Sequence, residues 1–315
     1  MKFRYVLYLT ITNNYFNLPT GRRHLLVYCF IACFLLFITP CFAQNTTTIL
    51  SDYEDTLKIL SPEILQGKED REKYNANEKF IRTLERALNI ENSFDYPFDS
   101  LTTIARLIAP DRSFRIFNWN LPKSDGTFEH FGFIQRYDKK SKTHKLYRLN
   151  DKSPDIESPE LQVLDNDNWY GAHYYKIILK KRSGKKYYTL LGWDGNDRVT
   201  TKKIIDVICF TRNGKLQFGS PIFKMGKTVK KRVIFEYSSQ VVISTKYFKD
   251  SKMIIFDHLS PSNPELKGQH QFYGPDGSYD ALVFKKGKWE LLEDIDARNK
   301  RESSKDILQK YNKPK

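Results

Sequence analysis

The sequence predicts an α+β protein in which two or three N-terminal helices pack on a large antiparallel β domain, built as a sandwich, an open sheet or an irregular barrel. Three observations carry this. Apolar residues recur every three to four positions up to about residue 110, then with a period near two. The later region is dense in β-branched and aromatic residues, in runs of four to eight separated by turn residues. Helix and strand patterns do not alternate after the switch, which excludes a βαβ arrangement.

The chain opens with a segment set apart from this pattern. Arg22, Arg23 and His24 precede the apolar run Leu25–Ala43, which ends at Thr39-Pro40-Cys41-Phe42-Ala43 before the polar Gln44-Asn45. A basic flank, a short apolar core, a helix break and small residues before the cut describe a secretory signal peptide cleaved after Ala43. The competing reading is an uncleaved anchor, since nineteen apolar residues just span a bilayer. Residues 1–43 are therefore taken as leader and signal, 44–110 as helical, 111–296 as the β domain and 297–315 as a polar tail with a short helix over 304–311. Export to the envelope, the periplasm before full secretion, follows, with no membrane span after cleavage.

Removing residues 1–43 takes four basic and no acidic side chains from a net charge of +15, leaving 272 residues at +11. That length buries a substantial core. Cys29, Cys33 and Cys41 leave with the signal, so Cys209 in the apolar run IIDVICF stands alone as a small core residue. Metal-spaced cysteines are absent, no cofactor motif is present, and neither metal nor cofactor is expected.

In the helical part, Ser51-Asp52-Tyr53-Glu54 fits a capping box, with Tyr53, Leu57, Leu60 and Ile64 following at helical spacing. Pro62 suits the first turn of a new short helix, which Gly67 ends. Phe80, Ile81, Leu84, Ala87 and Leu88 form one face of a second helix. Leu101, Ile104, Leu107 and Ile108 suggest a third over 99–108, stopped by Pro110.

Ten strands are legible: 114–119, 131–134, 174–179, 187–191, 204–210, 233–237, 241–248, 253–256, 281–284 and 289–292. Gly126, Gly184, Gly214, Gly277 and Gly287 mark turns between them. These glycines follow no fixed interval, which argues against a propeller.

The segments RIFNWNLPKSDGTFEHFGFIQ (115–135), YYTLLGWDGND (187–197), IFDHLSPSNPELKGQHQFYGPDGSYDALVF (255–284) and WELLEDIDARN (289–299) resemble a family of exported β-rich proteins from Bacteroidota. That family has no assigned activity. The resemblance implies export and a β-rich domain, and no catalytic residues.

Hydrolase, zinc, nucleotide and dinucleotide motifs are all missing. His130, His144, His173, His258 and His270 have no neighbour at ligand spacing, and each reads as a surface or satisfied interior histidine. The turn Trp193-Asp194-Gly195-Asn196-Asp197 offers three side-chain oxygens that could approach Ca²⁺. It lacks the EF-hand glutamate, and such side chains ordinarily cap their own turn. Asp165-Asn166-Asp167-Asn168, before Trp169-Tyr170, reads the same way.

Aromatics beside these polar turns suggest a sugar-binding platform built from Trp169, Tyr170, Trp193, Asp194, Asn196 and Asp197; the competing account is that a β core consumes such aromatics. The expected function is thus a non-catalytic binding module for a glycan or anionic envelope component. Nucleic acid is not an expected partner of an exported chain. The alternative is a hydrolase whose carboxylate site is assembled from distant strands, with Asp257, His258, Asp276 and Asp280 as raw material. On a continuing strand Asp257 and His258 point to opposite faces, which counts against their acting together.

Overall fold

The structure is a computed structural model that describes residues 46–138 and 143–296. The leader, the cleavage site, the tail and the helix expected at 304–311 lie outside the described residues. Over the described residues the fold is α+β: two α-helices followed by three open sheets, antiparallel but for one pair, stacked in layers.

Helix α1 (46–66) and helix α2 (Asp70–Leu88) lie on one face of the first sheet. That sheet has the order β1 (Ala105–Ile108), β2 (Phe114–Pro122), β3 (Phe128–Asp138), β4 (Thr143–Asn150). Leu57, Ile64, Phe80, Ile81 and Leu84 meet Phe117, Trp119, Leu121 and Phe133 in a shared core. Helices this short depend on such docking for their stability. The contact is also pinned by polar groups. Trp119 Nε1 donates to Asn77 Oδ1 at 2.7 Å, and the buried Arg115 donates to Ser93 O, Tyr96 O and Gln135 Oε1.

The second sheet orders β11 (Val233–Ser238), β7 (Thr200–Phe210), β6 (Lys185–Asp194) and β5 (His173–Arg182), with β8 (Leu216–Phe218) on β7. It lies in the middle of the stack. Tyr188, Leu190, Ile204 and Ile208 face the first sheet, while Leu191, Ile205 and Val207 face the third. Burial on both faces explains why IIDVICF is apolar except at Asp206, which pairs with the buried Arg232, rather than alternating. Cys209 is buried there.

The third sheet orders β10 (Thr228–Lys230), β9 (Phe223–Met225), β15 (Lys288–Leu292), β14 (Tyr273–Lys285), β13 (Met253–Pro261) and β12 (Thr245–Phe248). Its β15–β9 pair is parallel, an exception to the antiparallel expectation.

Several local expectations need correction. Residues 99–104 are turns leading into β1, which takes up the remaining 105–108 and pairs with β2 from Ala105↔Asn118 to Ile108↔Arg115. Leu101 and Ile104 are buried against the helix-side core from turns, and this imitates helical spacing. Ser51 is interior to α1, not its cap. Glu54 is buried and accepts from Tyr96 Oη at 2.5 Å and Ser100 N at 2.6 Å. Pro62 also lies within α1, which Gly67 ends through its N–H to Glu63 O. Residues 241–244 precede β12 rather than belong to it. All five turn glycines have positive φ, but Gly277 lies inside β14, at a bulge rather than a hairpin turn.

Candidate functional site

The expected site residues do not form one surface. Trp169 is 0% exposed and Tyr170 4%. Trp169 is drawn inward by its bridge to Asp151 and by its Nε1 bond to Tyr174 Oη at 3.0 Å. Neither ring offers a face to solvent, so the expected platform loses both. Trp119 and Trp289 are equally buried, which leaves Trp193 as the one partly exposed tryptophan of four.

Trp193 lies near the end of β6, edge-on to the partly exposed Phe128 at the start of β3, with centroids 5.5 Å apart. The loop beyond it is held stiffly. Asp194 Oδ1 accepts from Asn196 N at 2.8 Å, and Asn196 takes the left-handed conformation at φ 54°. Asp197 Oδ1 accepts from the amides of Val199 and Thr200. Asn196 Nδ2 donates to Asp197 Oδ2 and Thr200 Oγ1, and Lys202 Nζ donates to Asn196 Oδ1 at 2.7 Å. The oxygens considered for calcium therefore cap their own turn. Arg198 bonds Asp125 O and Ser124 O, tying the loop to the β2–β3 hairpin.

The second acidic cluster behaves likewise. Asp165 Oδ1 accepts from Asp167 N, Asn168 N and Asn168 Nδ2. Asp165 and Asn168 border a groove with Lys152, Gln162 and Lys215.

Behind Trp193 lies a buried cluster that sequence reading missed. His130 on β3 is wedged between two buried carboxylates, with Nδ1 3.3 Å from Asp151 Oδ2 and Nε2 3.6 Å from Asp194 Oδ1. Asp151 also accepts from Ser153 N, Ser153 Oγ, Gly171 N and His130 N. A Cβ on Gly171 would stand 2.4 Å from Asp151 Oδ2, so this approach requires glycine. Burial alone would raise the Asp151 carboxyl, but the bond and charge of His130 and the Ser153 bonds hold it below the ordinary value. Asp194 is shifted the other way. Burial raises it against the pull of His130 and Lys202, because it has fewer donors. His173, opposite Trp193 in the β5–β6 pair, is pushed down by burial and by His130.

Among the described residues, His130 Nε2, His173 Nδ1 and both amide atoms of Asn118 are buried without a hydrogen-bond partner. Asn118 pairs with Gly132 and Asn120 with His130, so Asn118 and His130 are diagonal neighbours on one face of the first sheet. The site thus combines a polar, imperfectly satisfied interior with a stiff loop and an aromatic rim. His130 shares parity with Gly132 and Ile134 and so faces the second sheet, but the opposite parity carries the equally buried Phe133 on the helix side, so alternation in the sequence does not single it out. Among the described residues, no group of three His, Cys, Asp or Glu side chains is arranged to hold a metal ion.

The residues of the hydrolase alternative lie elsewhere, on the third sheet. Asp257 Oδ2 accepts from Ser244 N, whereas His258 bonds Asp280, so these neighbours serve different partners.

Comparison with family models, curated proteins and solved structures gives no match. No helix among the described residues is long and apolar enough to cross a membrane.

Proposed function

We propose that the protein is an exported binding module of the cell envelope, non-catalytic at the surface formed by Phe128, Trp193 and the 194–200 loop, and that it holds a glycan or similar polar polymer there. The observation that carries this reading is Trp193. It alone of the four tryptophans reaches solvent, and it does so beside a loop whose polar side chains are already fixed in place. An aromatic face next to fixed amide and carboxylate groups suits a sugar ring, which presents an apolar face and a rim of hydroxyls. Fixed side chains also lower the ordering cost of binding. Export rests on the leader and on the resemblance to an exported Bacteroidota family.

The experiment is a pull-down on purified envelope polysaccharide and peptidoglycan, with Trp193→Ala as the control. The reading expects retention that this substitution reduces at least tenfold. Equal retention of the two proteins, or none of either, contradicts it.

A further inference from the structure

The third sheet carries another concentration of reactive side chains, at a place where the pairing of β13 and β14 breaks. The two strands are in register up to Asp257↔Tyr279 and resume at Leu259↔Pro275, so His258 stands opposite the extra residues 276–278. Gly277, at φ 89°, permits the bulge. Asp276 is fixed within it. Its Oδ1 accepts from Ser278 N at 3.0 Å and Ser278 Oγ at 2.7 Å, and its Oδ2 from Ser260 Oγ at 2.7 Å.

Asp280, its side chain 9% exposed, accepts from His258 Nδ1 at 2.8 Å and from Asp294 N at 3.1 Å. A carboxylate on Nδ1 fixes the tautomer and leaves the Nε2 lone pair free. Nε2 lies 4.0 Å from Asp276 Oδ2, with both side chains well exposed. That separation is too long for a direct hydrogen bond. It suits one water held by both atoms, about 2.8 Å from each.

We propose that His258 is the general base of a hydrolytic centre for neutral carboxylic esters, with Asp280 as its positioning residue and Asp276 as the second anchor of the attacking water. The water oxygen bonds to the ester carbonyl carbon as its proton passes to His258 Nε2. The tetrahedral intermediate then expels the alcohol by breaking the carbon–oxygen bond, and the proton on Nε2 leaves with that alcohol. Ester and water become acid and alcohol, and no other reactant is needed.

The charges around the site select the substrate class. Asp276, Asp280 and the nearby Glu293 oppose a phosphate ester. Glycoside cleavage needs a carboxyl that keeps its proton. Asp276 is held down to about 2 by its Ser278 bonds and then by Ser260, so it stays ionised. His258 itself is raised by its Asp280 bond, against partial burial, and further by the charges of Asp280, Asp276 and Glu293.

The test is turnover of p-nitrophenyl acetate by the full chain across pH 5–9. The protein-dependent rate should rise with pH through a midpoint above the ordinary histidine value. His258→Ala should lower it at least tenfold, while His270→Ala, at an exposed imidazole whose ring contacts Tyr273, should leave it unchanged. Asp280→Asn should lower both the plateau and the midpoint, a double effect that mere loss of structure does not produce. Circular dichroism checks that each variant keeps its β spectrum. A His258→Ala rate within twofold of wild type overturns the proposal, as does a midpoint that Asp280→Asn fails to move. Preferential turnover of p-nitrophenyl phosphate or p-nitrophenyl glucoside would overturn the ester assignment. These readouts are independent of polymer binding at Trp193.

Discussion

Replacing His130 by Phe tests the buried cluster behind Trp193, because it keeps a ring of similar size while removing both nitrogens. The ring's edge-on contact with Trp169, at 6.4 Å between centroids, has an equivalent in the variant. The loss falls unevenly on the two carboxylates. Asp151 keeps its bonds from Ser153 N, Ser153 Oγ, Gly171 N and the backbone N of residue 130. Asp194 keeps the amide of Asn196 and the more distant charge of Lys202. Removing the donor of a buried, charged acceptor costs about 1.5–3 kcal/mol. With Asp151 still well bonded, the lower half of that range, about 2 kcal/mol near pH 7.5, is expected.

The pH dependence follows from Asp194. Its folded carboxyl is already raised by burial, and His130 is the chief influence pulling it down, so the variant raises it further. A carboxyl raised in the folded state contributes stability that is complete below its unfolded value and is lost as pH rises through the folded one. The deficit should therefore be largest at pH 7.5 and shrink on acidification towards pH 4.5. Urea unfolding at three pH values, followed by tryptophan emission, measures this. A deficit below about 1 kcal/mol at pH 7.5, or one that grows in acid, would refute the reasoning.

Two further substitutions probe the frame that carries the site. Asp206→Ala should cost about 4 kcal/mol by stranding Arg232, since both side chains are fully buried and 3.0 Å apart. Asp206→Leu with Arg232→Met should recover much of that, though Pro159 O then loses its donor; thermal melts showing simple additivity would contradict the pairing. Gly195→Ala would place a Cβ 2.1 Å from the Phe128 ring, so it should cost about 1–3 kcal/mol and change the emission of the adjoining Trp193. Unaltered emission and stability would show that the loop does not press on Phe128.

Much of the fold was legible where side chains themselves form the pattern. The strands of the second sheet stand out because burial on both faces demands consecutive Ile, Val, Leu and Tyr along their central stretches. Strand β4, THKLYRLN, was missed because only Tyr147 and Leu149 turn fully inward, and β8, β9 and β10 because three residues are too few to show a period. The false third helix has a physical cause: a turn can bury residues three apart as well as a helix can, and Leu101 and Ile104 do so.

The candidate site was half legible. Trp169 and Trp193 both stand among Asp and Asn in the sequence, and composition cannot separate them. Their difference is tertiary, because Trp169 pairs with Asp151 across the chain and is sealed by Tyr174 and Phe218. His130, Asp151 and Asp194 come from β3, the loop after β4 and the end of β6, so no local spacing announces them. The His258 bulge was visible only as the ingredients Asp257, His258, Asp276 and Asp280. The break in register that sets Asp276 and Asp280 around the imidazole is a property of strand pairing.

The most direct measurement of the binding account uses the one tryptophan that reaches solvent. Acrylamide or iodide should quench a minority fraction of the emission, belonging to Trp193, while Trp119, Trp169 and Trp289 remain shielded. Solubilised envelope glycan should protect that fraction in a saturable way, and Trp193→Phe should abolish both the accessible fraction and its protection. Quenching that stays the same at the highest glycan concentration, with Trp193 still accessible, would contradict the claim that this face holds the ligand.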